Sequence, residues 1–192
     1  MSYQTYITEA IVCGSFLHNT ADKVFVLFTR EAGMLYATAR SVREERSKQR
    51  PALQEFSQIR VSLVKGKQGW RIGSVVPGPN YFATAKSREA RGSVVMLMKT
   101  LRRFVHGEEA HSLLFDFCVG ASRLLISECQ KRSFLELAVQ LRILDELGYV
   151  DSKDIPKNFK VAPASTLAEY ESELSAEKMK KLIDNAVANS HL

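Results

Sequence analysis

The stretch that decides the fold runs from Thr5 to Arg40, TYITEAIVCGSFL (5–17), HNTAD (18–22), KVFVLFT (23–29), REAG (30–33), MLYATAR (34–40). Three runs of strand length are separated by turn-forming residues. In the first, Tyr6, Thr8, Ala10, Val12 and Phe16 share one side of an alternating strand. The second, Lys23 to Thr29, is rich in β-branched and aromatic residues. In the third, Leu35, Ala37 and Ala39 alternate with Tyr36, Thr38 and Arg40. The intervening His18-Asn-Thr-Ala-Asp22 and Glu31-Ala-Gly33 are turn signals.

Two further strands follow. Ile59, Val61 and Leu63 alternate with Arg60, Ser62 and Val64, and Trp70-Arg-Ile-Gly-Ser-Val-Val76 is the fifth. Lys65-Gly-Lys-Gln-Gly69 turns between them. Five short antiparallel strands without room for crossover helices predict a small closed barrel. Pro77-Gly-Pro79 reads as a break and a domain hinge, since proline lacks an N–H and glycine is costly in regular structure. The expected division is a barrel over 1–80 and a helical domain over 81–192, an α+β chain.

Beyond the hinge the apolar period becomes helical. Val94, Leu97, Met98, Leu101, Phe104 and Val105 share one face of a helix over 86–105. Helices are also expected over 108–128 and 133–147, the latter stopped by Gly148. Residues 151–165, with Pro156 and Pro163, read as irregular. Ser175 caps a last helix over 176–188, with Met179, Leu182, Ile183 and Ala186 on one side.

Charge is distributed unevenly. Residues 1–105 carry 17 Lys/Arg against 7 Asp/Glu, and residues 106–192 carry 10 against 14. A polyanion partner for the first half follows, with a plain solubility surplus as the alternative. Cys13, Cys118 and Cys129 are odd in number and far apart, which argues for buried thiols rather than disulfides. No apolar run reaches the ~20 residues needed to span a bilayer. The first residues, Met1-Ser-Tyr-Gln-Thr5, lack a signal-peptide layout, so the expected location is cytoplasmic.

Catalytic signatures are not found. The sequence has no phosphate-binding Gly-x-x-x-x-Gly-Lys loop, no nucleophile elbow and no His-Glu-x-x-His. His106 and His111 are five apart, a poor spacing for one helical metal face. No enzyme activity, cofactor or metal is expected.

The densest local signal is Arg40-Ser-Val-Arg-Glu-Glu-Arg-Ser-Lys-Gln-Arg50, which joins the third and fourth strands. Its cations, Arg40, Arg43, Arg46, Lys48 and Arg50, are candidates for a sugar–phosphate backbone, because the guanidinium fork matches phosphate. Lys65, Lys67 and Arg71 extend this set, and Arg30 ends the second strand. A solvated, mobile loop is the alternative. For base stacking Tyr36 is the best candidate and Phe28 a weaker one, while Trp70 shares its side with Ile72 and reads as core. On the 86–105 helix, Arg88, Arg91, Lys99, Arg102 and Arg103 lie within about 120° opposite the apolar face. That face can extend a DNA track, receive an acidic peptide or simply be wet.

The N-terminal half resembles the RecO family of recombinational DNA-repair proteins. The matching pattern is Tyr6-x-Thr8-Glu9-Ala10-Ile11-Val12, Asp22-Lys23-Val24, Leu27-Phe28-Thr29-Arg30-Glu31-x-Gly33, Ala39-Arg40-x-x-Arg43, Arg46-Ser47 and Ala52-Leu53-Gln54-x-Phe56. Leu141-Arg-Ile-Leu-Asp-Glu-Leu-Gly-Tyr149 is similar to the family's central helix. The resemblance implies an OB-fold barrel followed by a helical domain. It also implies binding of single- and double-stranded DNA, strand annealing, and help in exchanging single-strand-binding protein for the RecA recombinase. Implied partners are RecR and the acidic tail of single-strand-binding protein, for which Arg102, Arg103 and Arg142, in a groove between helices 86–105 and 133–147, are the candidate contacts. Three departures stand out. Val150-Asp-Ser-Lys-Asp-Ile-Pro156 holds no cysteine where many members carry a zinc module, so metal is not carried over. Ser41 replaces a usual glycine, from which different backbone torsions are expected, and Glu55 stands where proline is common.

Overall fold

A computed structural model describes residues 5–190. Five strands close into a barrel: β1 (Thr5–Leu17), β2 (Lys23–Thr29), β3 (Gly33–Ala39), β4 (Ser57–Gly66) and β5 (Gly69–Asn80). Their order around the barrel is β1-β2-β3-β5-β4, with β4 returning to β1. The expected small barrel, of the OB-fold kind, is therefore present. One expectation needs correction, since the strands are not all antiparallel. β3 and β5 run parallel, through Ala37 with Trp70 and Thr38 with Arg71. Closure forces this, because β4 comes between them in sequence but lies outside them in the barrel.

The alternation that predicted the strands also fills the barrel. Val12, Phe25, Leu27, Leu35, Ile59, Leu63 and Ile72 converge in one core. Removing each of these larger side chains from water stabilises the fold by roughly 1.5–3 kcal/mol. Phe28 is fully buried on another side, with its ring 5.6 Å from that of Phe115, so it is not available for stacking on a base.

Pro77-Gly-Pro79 is not a hinge. β5 continues through it to Asn80, pairing Ile59 with Pro77 and Ser57 with Asn80. The prolines are tolerated because β5 leaves β3 after Arg71, so the other edge of its last residues does not face β3 and needs no ladder N–H there. Gly78 meets β4 closely, where a Cβ would approach the Gln58 carbonyl oxygen at 2.5 Å.

The chain forms two compact units. The first takes residues 1–84 together with 105–115, and the second takes 85–104 with 116–192. The strap of residues 105–115 is tied to the barrel by the Met34 amide, which donates to the Gly107 carbonyl at 3.0 Å. Gly33 (φ 61°) lies beneath it, where a Cβ would meet the Glu109 and Gly107 carbonyls. Counted by unit, the barrel unit holds 11 Lys/Arg against 8 Asp/Glu and the helical unit 16 against 13, so each is +3. The imbalance seen along the sequence arises because residues 85–104, six basic and one acidic, precede the acidic strap.

A four-residue helix α1 (Tyr81–Thr84) ends the first barrel segment. The helical unit contains α2 (Arg88–Phe104), most of α3 (Ser112–Leu125), α4 (Arg132–Glu146) and α5 (Ala176–Asn189). The expected helix over 108–128 is shorter, because Glu108 and Glu109 lie in the strap. α4 is central, packing on α2 and α5, and its Val139, Leu141, Ile143 and Leu144 are buried. Gly148 terminates the α4 region at φ 77°, as its position predicted. Two three-residue 3-10 helices occupy Ser152–Asp154 and Phe159–Val161, and a nine-residue one occupies Ala164–Ser172. Ser175 caps α5 by accepting from the Lys178 amide at 3.2 Å.

Candidate nucleic-acid interface

Local chain geometry in β1 decides which rings reach the surface. The β1–β2 register shifts between Val12 and Gly14, which marks a β-bulge. The bulge inverts the alternation, so Phe16 leaves the side it was expected to share with Ala10 and Val12 and stands 48% exposed. It meets Tyr36, 60% exposed, with ring centroids 6.4 Å apart. Gly14 within an otherwise regular strand was the available signal of this inversion.

The two rings line a groove of ≈ 500 Å³ with Arg40, Arg71, Gln68 and His18. Arg40 and Arg71 also border a ≈ 580 Å³ hollow with Arg46 and Gln49, and a ≈ 260 Å³ hollow with Lys67. The shared arginines join the three into one basic trough. Its walls are the β1–β2 turn, the β4–β5 turn and the loop 40–56.

That loop is anchored rather than mobile. Val42 and Leu53 are buried in the barrel core. The Ser41 amide donates to Asp22 Oδ1 at 2.7 Å, and the Arg43 amide to the Ala21 carbonyl at 3.0 Å. Ser41 holds φ 50°, the left-handed backbone that glycine favours, so the expected change of torsions does not occur. The bond to Asp22 offsets the steric cost. The Ser41 amide, then the Asn19 side chain, holds the Asp22 carboxyl below the usual carboxylate range.

The cations singled out by sequence separate into groups. Tyr36, Arg40, Arg46, Lys67 and Arg71 are brought together at the trough. Arg43 instead donates Nη1 to the Asn19 and Thr20 carbonyls at 3.1 and 2.7 Å, clamping the loop to the β1–β2 turn. Lys65 is paired with Glu108 at 2.7 Å and lies 5.0 Å over the Trp70 ring. Trp70 is buried as expected and donates Nε1 to the same carboxylate at 2.9 Å. The Lys65 and Trp70 bonds hold the Glu108 carboxyl below its ordinary range. Arg30 pairs with Glu31 at 3.6 Å, Lys48 is exposed, and Arg50 faces a different groove with Lys23. Phe16, His18 and Gln68 join the trough although sequence reading did not select them.

In the helical unit, Arg88, Arg91, Lys99, Arg102 and Arg103 are exposed on α2. Arg103 donates to the Val187 carbonyl at 3.4 Å. The open groove expected between α2 and α4 is bridged at one point, where Ser93 Oγ bonds Glu136 at 2.6 Å and Arg132 bonds Ser93 at 2.8 Å. Arg142 does not project from the surface. It is buried, with Nη1 bonded to Glu146 at 2.7 Å and its guanidinium 5.5 Å from the Phe117 ring centre. Cys13 and Cys118 are buried and Cys129 is half-buried. Among the described residues no three His, Cys, Asp or Glu side chains are grouped to hold a metal, and no helix is long and apolar enough to cross a membrane.

Residues 1–75 match the family described as Recombination protein O N terminal. A DNA repair protein RecO of Desulfitobacterium hafniense is 25% identical over 144 residues, covering 75% of this chain and 52% of that protein. Its namesake in Heliobacterium modesticaldum is 28% identical over 144 residues, again 75% and 52%. A third, from Caldanaerobacter subterraneus subsp. tengcongensis, is 24% identical over 147 residues, covering 77% and 60%. The chain thus spans about half the length of the curated relatives it matches. The resemblance read from the sequence is borne out.

Proposed function

We propose, on the premise that residues 1–75 are a RecO-family N-terminal domain, that this chain is a DNA-binding mediator of recombinational repair. In this reading it binds single- and double-stranded DNA, promotes annealing of complementary strands, and assists RecA loading on DNA coated with single-strand-binding protein. It does so without nucleotide, cofactor or catalytic residue, in the cytoplasm and associated with the nucleoid.

The observation that carries the reading is the trough. Phe16 and Tyr36 offer flat faces to bases, while Arg40, Arg46, Lys67 and Arg71 suit successive phosphates. Barrels of this kind bind oligonucleotides on the β2–β3 face between the β1–β2 and β4–β5 turns. Tyr36 lies on β3, Phe16 and Arg71 stand beside those two turns and Lys67 within the second, while Arg40 and Arg46 come from the β3–β4 connection. Contacts of this type neutralise backbone charge and stack any base, so little sequence preference is expected. Neutralising phosphates on two strands lowers the repulsion between them, which favours annealing.

The basic face of α2 supports the partner half of the reading. Arg88, Arg91, Lys99, Arg102 and Arg103 form a surface for the acidic tail of single-strand-binding protein. RecR is a further proposed partner, and RecA is reached indirectly. The deciding experiment is annealing of complementary oligonucleotides with and without single-strand-binding protein. Acceleration in both conditions is expected. Tight binding of RNA in preference to DNA, with no acceleration, would instead favour an OB-fold adaptor for RNA or protein.

A further inference from the structure

The chain enters the β4–β5 turn from Lys65 and leaves it at Trp70, and the two residues pair in the ladder. Trp70 is held from several directions. Its ring belongs to the barrel core and also lines the trough. Tyr6 packs against it edge-on, with centroids 5.4 Å apart. The Lys65 ammonium stands 5.0 Å over the ring, where the π face attracts a cation. Lys65 Nζ and Trp70 Nε1 are therefore two donors held side by side at the border of the trough. One carboxylate of the strap takes both. Glu108 Oε2 accepts from Lys65 at 2.7 Å, and Oε1 accepts from Trp70 at 2.9 Å.

This engagement differs in kind from that of Arg43. Arg43 bonds two backbone carbonyls, which belong to the fold itself. The Lys65 and Glu108 side chains are 55% and 47% exposed, and ion pairs this wet are weak and open to exchange. The strap backbone, by contrast, is fixed on both sides of Glu108. The Gly107 carbonyl accepts from the Met34 amide, and the Glu109 backbone lies against Gly33. Only the Glu108 side chain has to swing aside to release the two donors.

The chemistry of the displaced group indicates what can replace it. A carboxylate offers two oxygens that share one negative charge. The two unesterified oxygens of a phosphodiester offer the same, and both accept charge-assisted hydrogen bonds from an ammonium. Trp70 gives the continuity, since the ring that lines the trough carries the N–H that Glu108 holds.

We propose that Lys65 and Trp70 form a phosphate subsite of the trough, which Glu108 fills in the free protein. The carboxylate stands where a phosphodiester of a bound single strand stands, and the strand displaces it. The strap thereby carries a built-in competitor for the strand. This inference rests on the trough being a nucleic-acid site.

Trp70 is the single tryptophan of the chain, so its indole N–H gives one NMR resonance. Adding the oligonucleotide dT20 to the full chain should move that resonance. Fluorescence anisotropy with labelled dT20 tests the competition. Lys65→Ala should flatten the slope of log K against log salt by ~0.7, the share of one phosphate on a single strand. Glu108→Gln should raise affinity roughly 2- to 5-fold, the worth of an exposed ion pair. Glu109→Gln, which removes the same charge one residue away, should raise it less. In the Lys65→Ala background the excess of Glu108→Gln over Glu109→Gln should vanish. Thermal melting of each variant separates these effects from loss of fold, and Glu108→Gln keeps an oxygen acceptor for Trp70. An indole resonance unmoved at saturating dT20 overturns the subsite, as does an unchanged slope in Lys65→Ala. A flattened slope with equal gains from Glu108→Gln and Glu109→Gln makes Lys65 an ordinary phosphate contact and overturns the competition. In each of these cases, dT20 binding that is still weakened by Tyr36→Ala with Arg40→Ala leaves the trough standing. Binding indifferent to Tyr36 and Arg40 overturns the trough and the subsite together.

Discussion

Replacing Arg40 and Arg46 together by alanine separates the trough from a general excess of charge. Both line the trough, and both are exposed. For single strands each phosphate contact contributes about 0.7 to the slope of log K against log salt, so losing two should flatten the slope by ~1.4. The same term predicts a ~25-fold loss of affinity at about 0.1 M salt but only ~5-fold at about 0.3 M. Fluorescence anisotropy with a labelled dT20 strand across this range reads both quantities. Arg43→Ala is the internal control, since it removes a cation from the same loop. Its guanidinium bonds two backbone carbonyls, at 3.1 and 2.7 Å, and does not line the trough. It should leave the salt slope near the wild-type value and instead lower stability, by about 1–2 kcal/mol for two exposed hydrogen bonds. Equal flattening per charge in the Arg43 variant, or an unchanged slope in the Arg40/Arg46 variant, would refute the assignment.

Three other outcomes are expected. Phe16→Ala and Tyr36→Ala should each weaken single-strand binding by ~1–3 kcal/mol at all salt concentrations, because stacking is not an ionic term; an unaffected Phe16 variant would show that its exposure serves another purpose. Gly33→Ala should destabilise the barrel by roughly 3 kcal/mol in urea unfolding, since a Cβ there meets the strap's carbonyl oxygens at a φ of 61°. A cost below about 1 kcal/mol would mean that the strap yields easily. Glu108→Gln should flatten the acid limb of stability. The folded-state carboxyl is held low by Lys65 and Trp70, so its contribution is complete above the unfolded-state pKa and is lost as pH falls through the lower folded-state value. Denaturation curves for wild type and variant, compared from about pH 6 down to about pH 3, read this, and coincident acid limbs would contradict it.

Much of the fold was legible in order because its causes are local. Alternation of Leu35, Ala37 and Ala39 needs only a pleated strand with one buried face. The recurrence of Leu97, Met98, Leu101 and Phe104 needs only a helix with an apolar side, and all four are buried. Gly148 and Ser175 declare helix ends through their own backbone and side chain. Pro77-Gly-Pro79 misled for a complementary reason. Proline breaks a strand only where a ladder N–H is required, and the sequence does not show which edge of β5 faces β3.

The candidate site was legible in composition but not in grouping. The cations of 40–50 all lie in one loop, yet Arg43 closes a turn while Arg40 and Arg46 face the trough. Which way each side chain points depends on Val42 and Leu53 entering the core and on Ser41 turning left-handed, both of which are long-range outcomes. The sequence by itself determined the strand and helix segments and the concentration of cations between β3 and β4. Only the tertiary structure decided that Phe16 stands outside, that Lys65 and Trp70 are engaged by Glu108 from a strap some forty residues on, and that Arg142 is buried. The physical reason is common to all three. Each depends on a bulge, an ion pair or a packing contact between residues whose proximity exists only after the chain has closed on itself.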